Sequence, residues 1–71
     1  MNEYIICYKV VQETKTYVHD IVSADTVKAE KITNQYLSWF CQHKKASLEK
    51  LEPGESFTIS ILAISKVEEE D

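Results

Sequence analysis

Cys41 with His43, His19 with Asp20, and the run Glu49, Glu52 and Glu55 are the residues whose types could do chemistry. A thiol beside an imidazole is the start of a nucleophilic dyad, because the neighbouring base draws off the thiol proton. The spacing defeats it. Cys41 and His43 fall in a helical stretch, where two residues apart is a rotation of about 200°, so the side chains leave on different faces. His19 and Asp20 are neighbours on a strand and point to opposite faces as well. Two His and two Cys on scattered elements match no zinc-ligand spacing, and a single Gly behind Pro53 cannot build a phosphate-cradling loop. The glutamates flank a turn and read as solvated charge rather than an acid and base pair. The expectation is a chain that is not an enzyme, has no cofactor and ligates no metal. Cys7 and Cys41 are too few for a disulfide scaffold and read as buried free thiols.

Binding is the remaining class, and charge narrows it. The net charge is −4, and all eight basic side chains are Lys. Without Arg there is no planar fork to read guanine edges, which argues against duplex DNA. Residues 1–45 carry six Lys against five acids, while residues 46–71 carry two Lys against seven acids. The acidity therefore sits in the last third, ending in a short tail at 68–71 that is expected to fray. Tyr4, Tyr8, Tyr17 and His19 would suit stacking of single-stranded bases or a nucleotide, but only Lys9 and Lys15 lie near them to neutralise phosphate.

Seventy-one residues allow one domain, since a chain this short buries only about 60% of its unfolded surface. No apolar run approaches the roughly 18 residues of a membrane span. Glu3 stands where a secretory leader would carry basic residues, so a cytoplasmic location is expected.

The elements that must position these residues begin with a hairpin. Residues 3–12 are rich in Tyr, Ile and Val and read as a strand, the turn falls near 13–15 without Gly or Asn, and residues 16–22 read as the second strand. Depending on loop parity, Tyr8 would face His19 or Asp20, and Val10 would face Tyr17 or Val18. A helix is expected over 23–45, with Ser23 or Asp25 as N-cap and His43, Lys44 and Lys45 at its carboxyl end. With Val27 set at zero and about 100° per residue, Ala29, Ile32, Tyr36, Trp39, Phe40 and His43 form one arc facing a sheet, while Lys31, Gln35, Ser38 and Gln42 lie opposite. Residues 46–55 can make one further helical turn, with Leu48 and Leu51 inward and Pro53-Gly54 ending it. Residues 56–68 alternate as a return strand, with Phe57, Ile59, Ile61, Ala63 and Val67 on one side and Thr58, Ser60, Leu62, Ile64 and Lys66 on the other.

The fold class is then α+β: a two-layer β-β-α-β unit with a mainly antiparallel three-stranded sheet in order 2-1-3 and one long helix across one face. A parallel crossover placing the third strand beside the second is the alternative. One helix covers one face, so the other keeps apolar residues of the first strand, either Ile5, Cys7 and Val11 or Tyr4, Ile6, Tyr8 and Val10, joined by Leu62 and Ile64. Such a patch calls for a cover. The candidate partner-binding set is Tyr4, Ile6, Tyr8, Val10, Leu62 and Ile64, with Lys44 and Lys45 as polar rim. The expected partners are a second copy of the chain, by sheet face or by strand edge, and another protein. In size and layout the whole chain is similar to small accessory proteins of bacteriophages and mobile elements that inhibit or redirect host factors. No motif carries that likeness, and no functional residue is transferred from it.

Overall fold

A computed structural model describes residues 1–67 of the chain; the acidic tail at 68–71 lies outside the described residues. The elements are β1 (Asn2–Glu13), β2 (Val18–Ala29), α1 (Asn34–Leu51) and β3 (Ser56–Val67). The sheet is antiparallel in order β2-β1-β3. The parallel alternative is excluded.

The hairpin is longer than the sequence suggests, because Thr14 does the work that Gly or Asn would do in a tighter turn. Its Oγ1 accepts hydrogen bonds from the backbone N–H groups of Thr16 and Tyr17 at 3.2 and 3.1 Å, and its own N–H donates to the Tyr17 carbonyl at 2.9 Å. Glu13 therefore still pairs, opposite Val18, and Tyr8 faces Ser23 while Val10 faces Ile21. Neither register expected from the sequence occurs, since both started the second strand too early.

That shift carries β2 through a segment expected to be helix. Ala24 to Ala29 pair with Cys7 to Asn2, and their burial alternates, half-buried at Ser23, Asp25, Val27 and Ala29 and exposed between. A ladder along the whole of β1 outweighs the helical preference of a few residues. The helix starts eleven residues later than its first expected cap. Thr33 is the true N-cap, its Oγ1 accepting from the Tyr36 N–H at 3.0 Å. It also runs further, absorbing the separately expected turn, until the Glu52 N–H closes onto the Leu48 carbonyl at 3.0 Å. Gly54 at φ +89° then reverses the chain into β3, a left-handed conformation in which other residues are strained.

β3 contains a bulge. Tyr8 pairs with Ile61 but Cys7 pairs with Ala63, so Leu62 is an extra residue in the ladder. Alternation changes phase there. Phe57, Ile59, Ile61 and Ile64 share the helix-facing side, and Ala63, Ser65 and Val67 share the other with Thr58 and Ser60, which corrects the sequence assignment beyond Leu62.

The helix packs on the side bearing Tyr4, Ile6, Tyr8 and Val10. Ile6, Tyr8, Phe40 and Phe57 are buried, and the Tyr8 and Phe40 rings meet edge to face with centroids 5.4 Å apart. Val10, Val27, Ile32, Tyr36, Leu37, Cys41, Ile59 and Ile61 pack around them, half-buried. Twelve-residue strands are about 40 Å long and an 18-residue helix about 27 Å. The helix lies closest to β3. It is too short and too narrow to roof β2 as well.

Candidate interaction surfaces

Two surfaces are left open by this packing. The first is the outer sheet face, turned from the helix, where β1 contributes Glu3, Ile5, Cys7, Lys9, Val11 and Glu13. The register sets Lys28, Thr26, Ala24, Val22, Asp20 and Val18 of β2 beside them on one flank, and Val67, Ser65, Ala63, Ser60, Thr58 and Ser56 of β3 on the other. Ile5 is exposed, as are Val18 and Val22. Two Lys against three acids leave this face at −1.

The second is a groove between the C-terminal half of α1 and the uncovered inner side of β2. It encloses about 540 Å³ over a floor of Tyr8, Val10 and Ile21, with Leu48 and Leu51 on the helix side and His19 on the strand side. A hydrogen bond from Gln12 Nε2 to Glu52 Oε2 at 3.0 Å ties β1 to the end of the helix beside it. Further along, Trp39 and His43 stand over Val27, their rings 4.3 Å apart. Trp39, Ile21 and Leu51 are all more than half exposed, at 51%, 53% and 78%.

The candidate residues divide between these places and the core. Ile6 has no exposed surface and Tyr8 almost none, so neither is available to a partner in this arrangement. Tyr4 and Val10 are half-buried on the same helix-covered side, and Ile64 joins that side through the bulge, at the β3 edge and exposed. Leu62, the bulge residue, is 53% exposed. The open face is the other set weighed from sequence, Ile5, Cys7 and Val11. The signal that separates the two sets is Lys9. An ammonium in the middle of the central strand cannot lie beneath a helix without a partner, so its side of the strand had to be the wet one.

Lys44 is not a free rim charge. Its Nζ pairs with Asp25 Oδ2, and it lies 5.7 Å from the Tyr8 ring centroid and 5.8 Å from that of Phe40. Tyr8 Oη donates to Asp25 Oδ1 at 3.3 Å. The hydrogen bond to Asp25 holds the Lys44 ammonium above its ordinary pKa of 10.5, against the opposing effect of burial. The cluster fastens helix to β2. Lys45 is exposed and lies 3.9 Å from Glu49, one helical turn on.

Burial pushes the Cys41 thiol up as well, which lowers its thiolate fraction. Cys41 faces Phe57 and Ile59 while His43 stacks on Trp39, on different sides of the helix. Among the described residues no three His, Cys, Asp or Glu converge on a common point, and no helix is long and apolar enough to cross a membrane. No family model, curated protein or solved structure matches the chain.

Proposed function

We propose that the chain is a non-catalytic protein-interaction module that works as a homodimer and uses its outer sheet face to occupy, and so inhibit or redirect, another protein. The observation that carries this reading is the uncovered face itself: β1 and β2 present Ile5, Cys7, Val11, Val18, Val22 and Ala24 on the side turned from the helix, with none of the other described residues folded over them. The two groups with raised pKa, Lys44 and Cys41, are both moved away from nucleophilic reactivity. A single-strand or nucleotide binder would stack bases on Tyr4, Tyr8, Tyr17 and His19, and of these Tyr4 and Tyr8 lie on the helix-covered side, which leaves Tyr17 and His19 as its exposed rings.

Three strands spaced about 4.8 Å apart over about 40 Å give a face of roughly 600 Å². A standard interface takes about 800 Å² from each partner. Two copies side by side double the footprint of one face, which suits a dimer that leaves this face free for a target.

The test is capture from a lysate of the source cell, comparing the tagged chain with an Ile5→Lys, Val11→Lys variant whose mass by light scattering is unchanged. A protein retained by the first and lost by the second supports the reading. Equal capture by both, or nucleic acid as the retained species, overturns it.

A further inference from the structure

Among the described residues both edges of the sheet are open, but they are not equally protected. β3 is interrupted by its bulge at Leu62, a device that spoils edge pairing. β2 is a regular twelve-residue strand without Pro or bulge, and from Val18 to Val22 every residue is exposed, including Ile21 at 53% and Val22 at 64%. A long unpaired edge with apolar side chains is a template for another strand.

The sequence of β2 specifies which strand. Two antiparallel copies must pair residues of like parity to keep inner and outer faces together. If the twofold axis passes through Ala24, Asp20 meets Lys28 of the second copy and Val22 meets its Thr26 on the outer face. On the inner face Ile21 meets Val27, Ser23 meets Asp25 and His19 meets Ala29. Asp20 and Lys28 each find an opposite charge, Asp25 keeps its own Lys44 and meets only a Ser, and Ile21 finds Val27. Moving the axis by one residue destroys the match. Centred on Ser23 it sets Ile21 against Asp25, and centred on Asp25 it sets that carboxylate against its own copy.

The helices agree with this register. Trp39 lines one hollow with Val27, and Leu51 lines the groove with His19, Ile21 and Ser23, so the axis through Ala24 brings the Trp39 end of one helix toward the Leu51 end of the other. These are the two large apolar helix residues most exposed in the single chain.

We infer that two copies join β2 to β2 in antiparallel register centred on Ala24, making one continuous six-stranded sheet with both helices on the same side. This rests on the homodimer in the function proposed above and names its interface. Directly opposed residues in an antiparallel pair have Cα atoms about 4.5 to 5.5 Å apart, within the range a disulfide spans.

The experiment is oxidative cross-linking of the full chain in a Cys7→Ser, Cys41→Ala background, with light scattering on the same samples. Ala24→Cys alone should form a covalent dimer. Val22→Cys and Thr26→Cys should each fail alone, with their sulfurs well separated, yet cross-link when mixed. Asp20→Lys sets like charges together twice across the axis and should weaken association on the order of tenfold or more. Adding Lys28→Asp should restore it. A dimeric mass without the Ala24→Cys cross-link overturns the β2 interface and leaves the homodimer standing. A monomeric mass at every concentration overturns both.

Discussion

Deleting Leu62 should be tolerated, although it removes a residue from the middle of a strand. On one side Ile61 stays opposite Tyr8, and on the other Ala63 stays opposite Cys7, because Leu62 is the surplus residue between two correctly paired segments. The side chain is 53% exposed, so its loss forfeits about half of the roughly 1.5–3 kcal/mol that a fully buried Leu contributes, near 1 kcal/mol. Straightening the ladder offsets part of that. Deleting Lys9 removes a side chain that faces solvent, yet β1 has no surplus residue and is paired on both sides. One half of the strand must turn over, and if it is the half carrying Ile6 and Tyr8, two buried side chains leave the core at a cost of about 3–6 kcal/mol. A chain of this size has a total stability of roughly 4–10 kcal/mol. Thermal and urea unfolding followed by circular dichroism, all proteins at one concentration, should show the Leu62 deletion melting cooperatively within about 8 °C of wild type and the Lys9 deletion largely unfolded. If the Leu62 deletion collapses while the Lys9 deletion folds, the assignment of the bulge and of the two faces is wrong.

Thr33→Ala decides where the helix begins by its sign. As N-cap, Thr33 satisfies the Tyr36 N–H, and its loss should cost about 1 kcal/mol in urea titrations; inside a helix started at Ser23 or Asp25 the same change would stabilise by a few tenths. Lys44→Met should lower stability at neutral pH by at most about 1 kcal/mol, since the Lys44 and Asp25 side chains remain 36% and 30% exposed and solvent screens the pair. The folded-state pKa of Lys44 lies above the ordinary 10.5, so its contribution is complete below that value and is lost as pH rises through the higher one. Urea midpoints of the two proteins should therefore differ by a constant amount from pH 7 to about 10 and converge above it.

The sheet order, the antiparallel hairpin and the return strand were legible because the patterns that specify them are local: β-branched and aromatic runs, and Pro53-Gly54 between helix and strand. The start of the helix was not. Ser23 and Asp25 cap as well as Thr33 does, and between Asp25 and Lys31 stands no Gly or Pro to break a helix. What decides is the length of β1, a tertiary demand that no window around residue 25 contains. The bulge did leave a trace. Ile61 and Leu62 stand side by side, and the apolar positions move from odd to even at that point, which is how an inserted residue looks in an alternating strand. Lys9 likewise carried enough information to choose the covered face, and with it to set Ile6 and Tyr8 in the core rather than at a partner surface.

The distribution of side chains over the outer face bears on both proposals at once. Along β3 it is mainly Ser and Thr, along β1 it mixes Ile5, Cys7 and Val11 with charges, and along β2 it exposes Val18 and Val22. In a single copy this places the exposed Val18 and Val22 at one rim and the Ser and Thr column at the other, unlike an interface with an apolar centre and a wet border. Joining β2 to β2 turns the gradient into a symmetric profile. The two β2 columns become the centre, with Asp20 and Lys28 of opposite copies neutralising each other there, and the Ser and Thr of both β3 strands become the border. A target seated on such a surface would straddle the twofold axis, so substitutions that break the dimer should abolish target capture even where they touch no target atom.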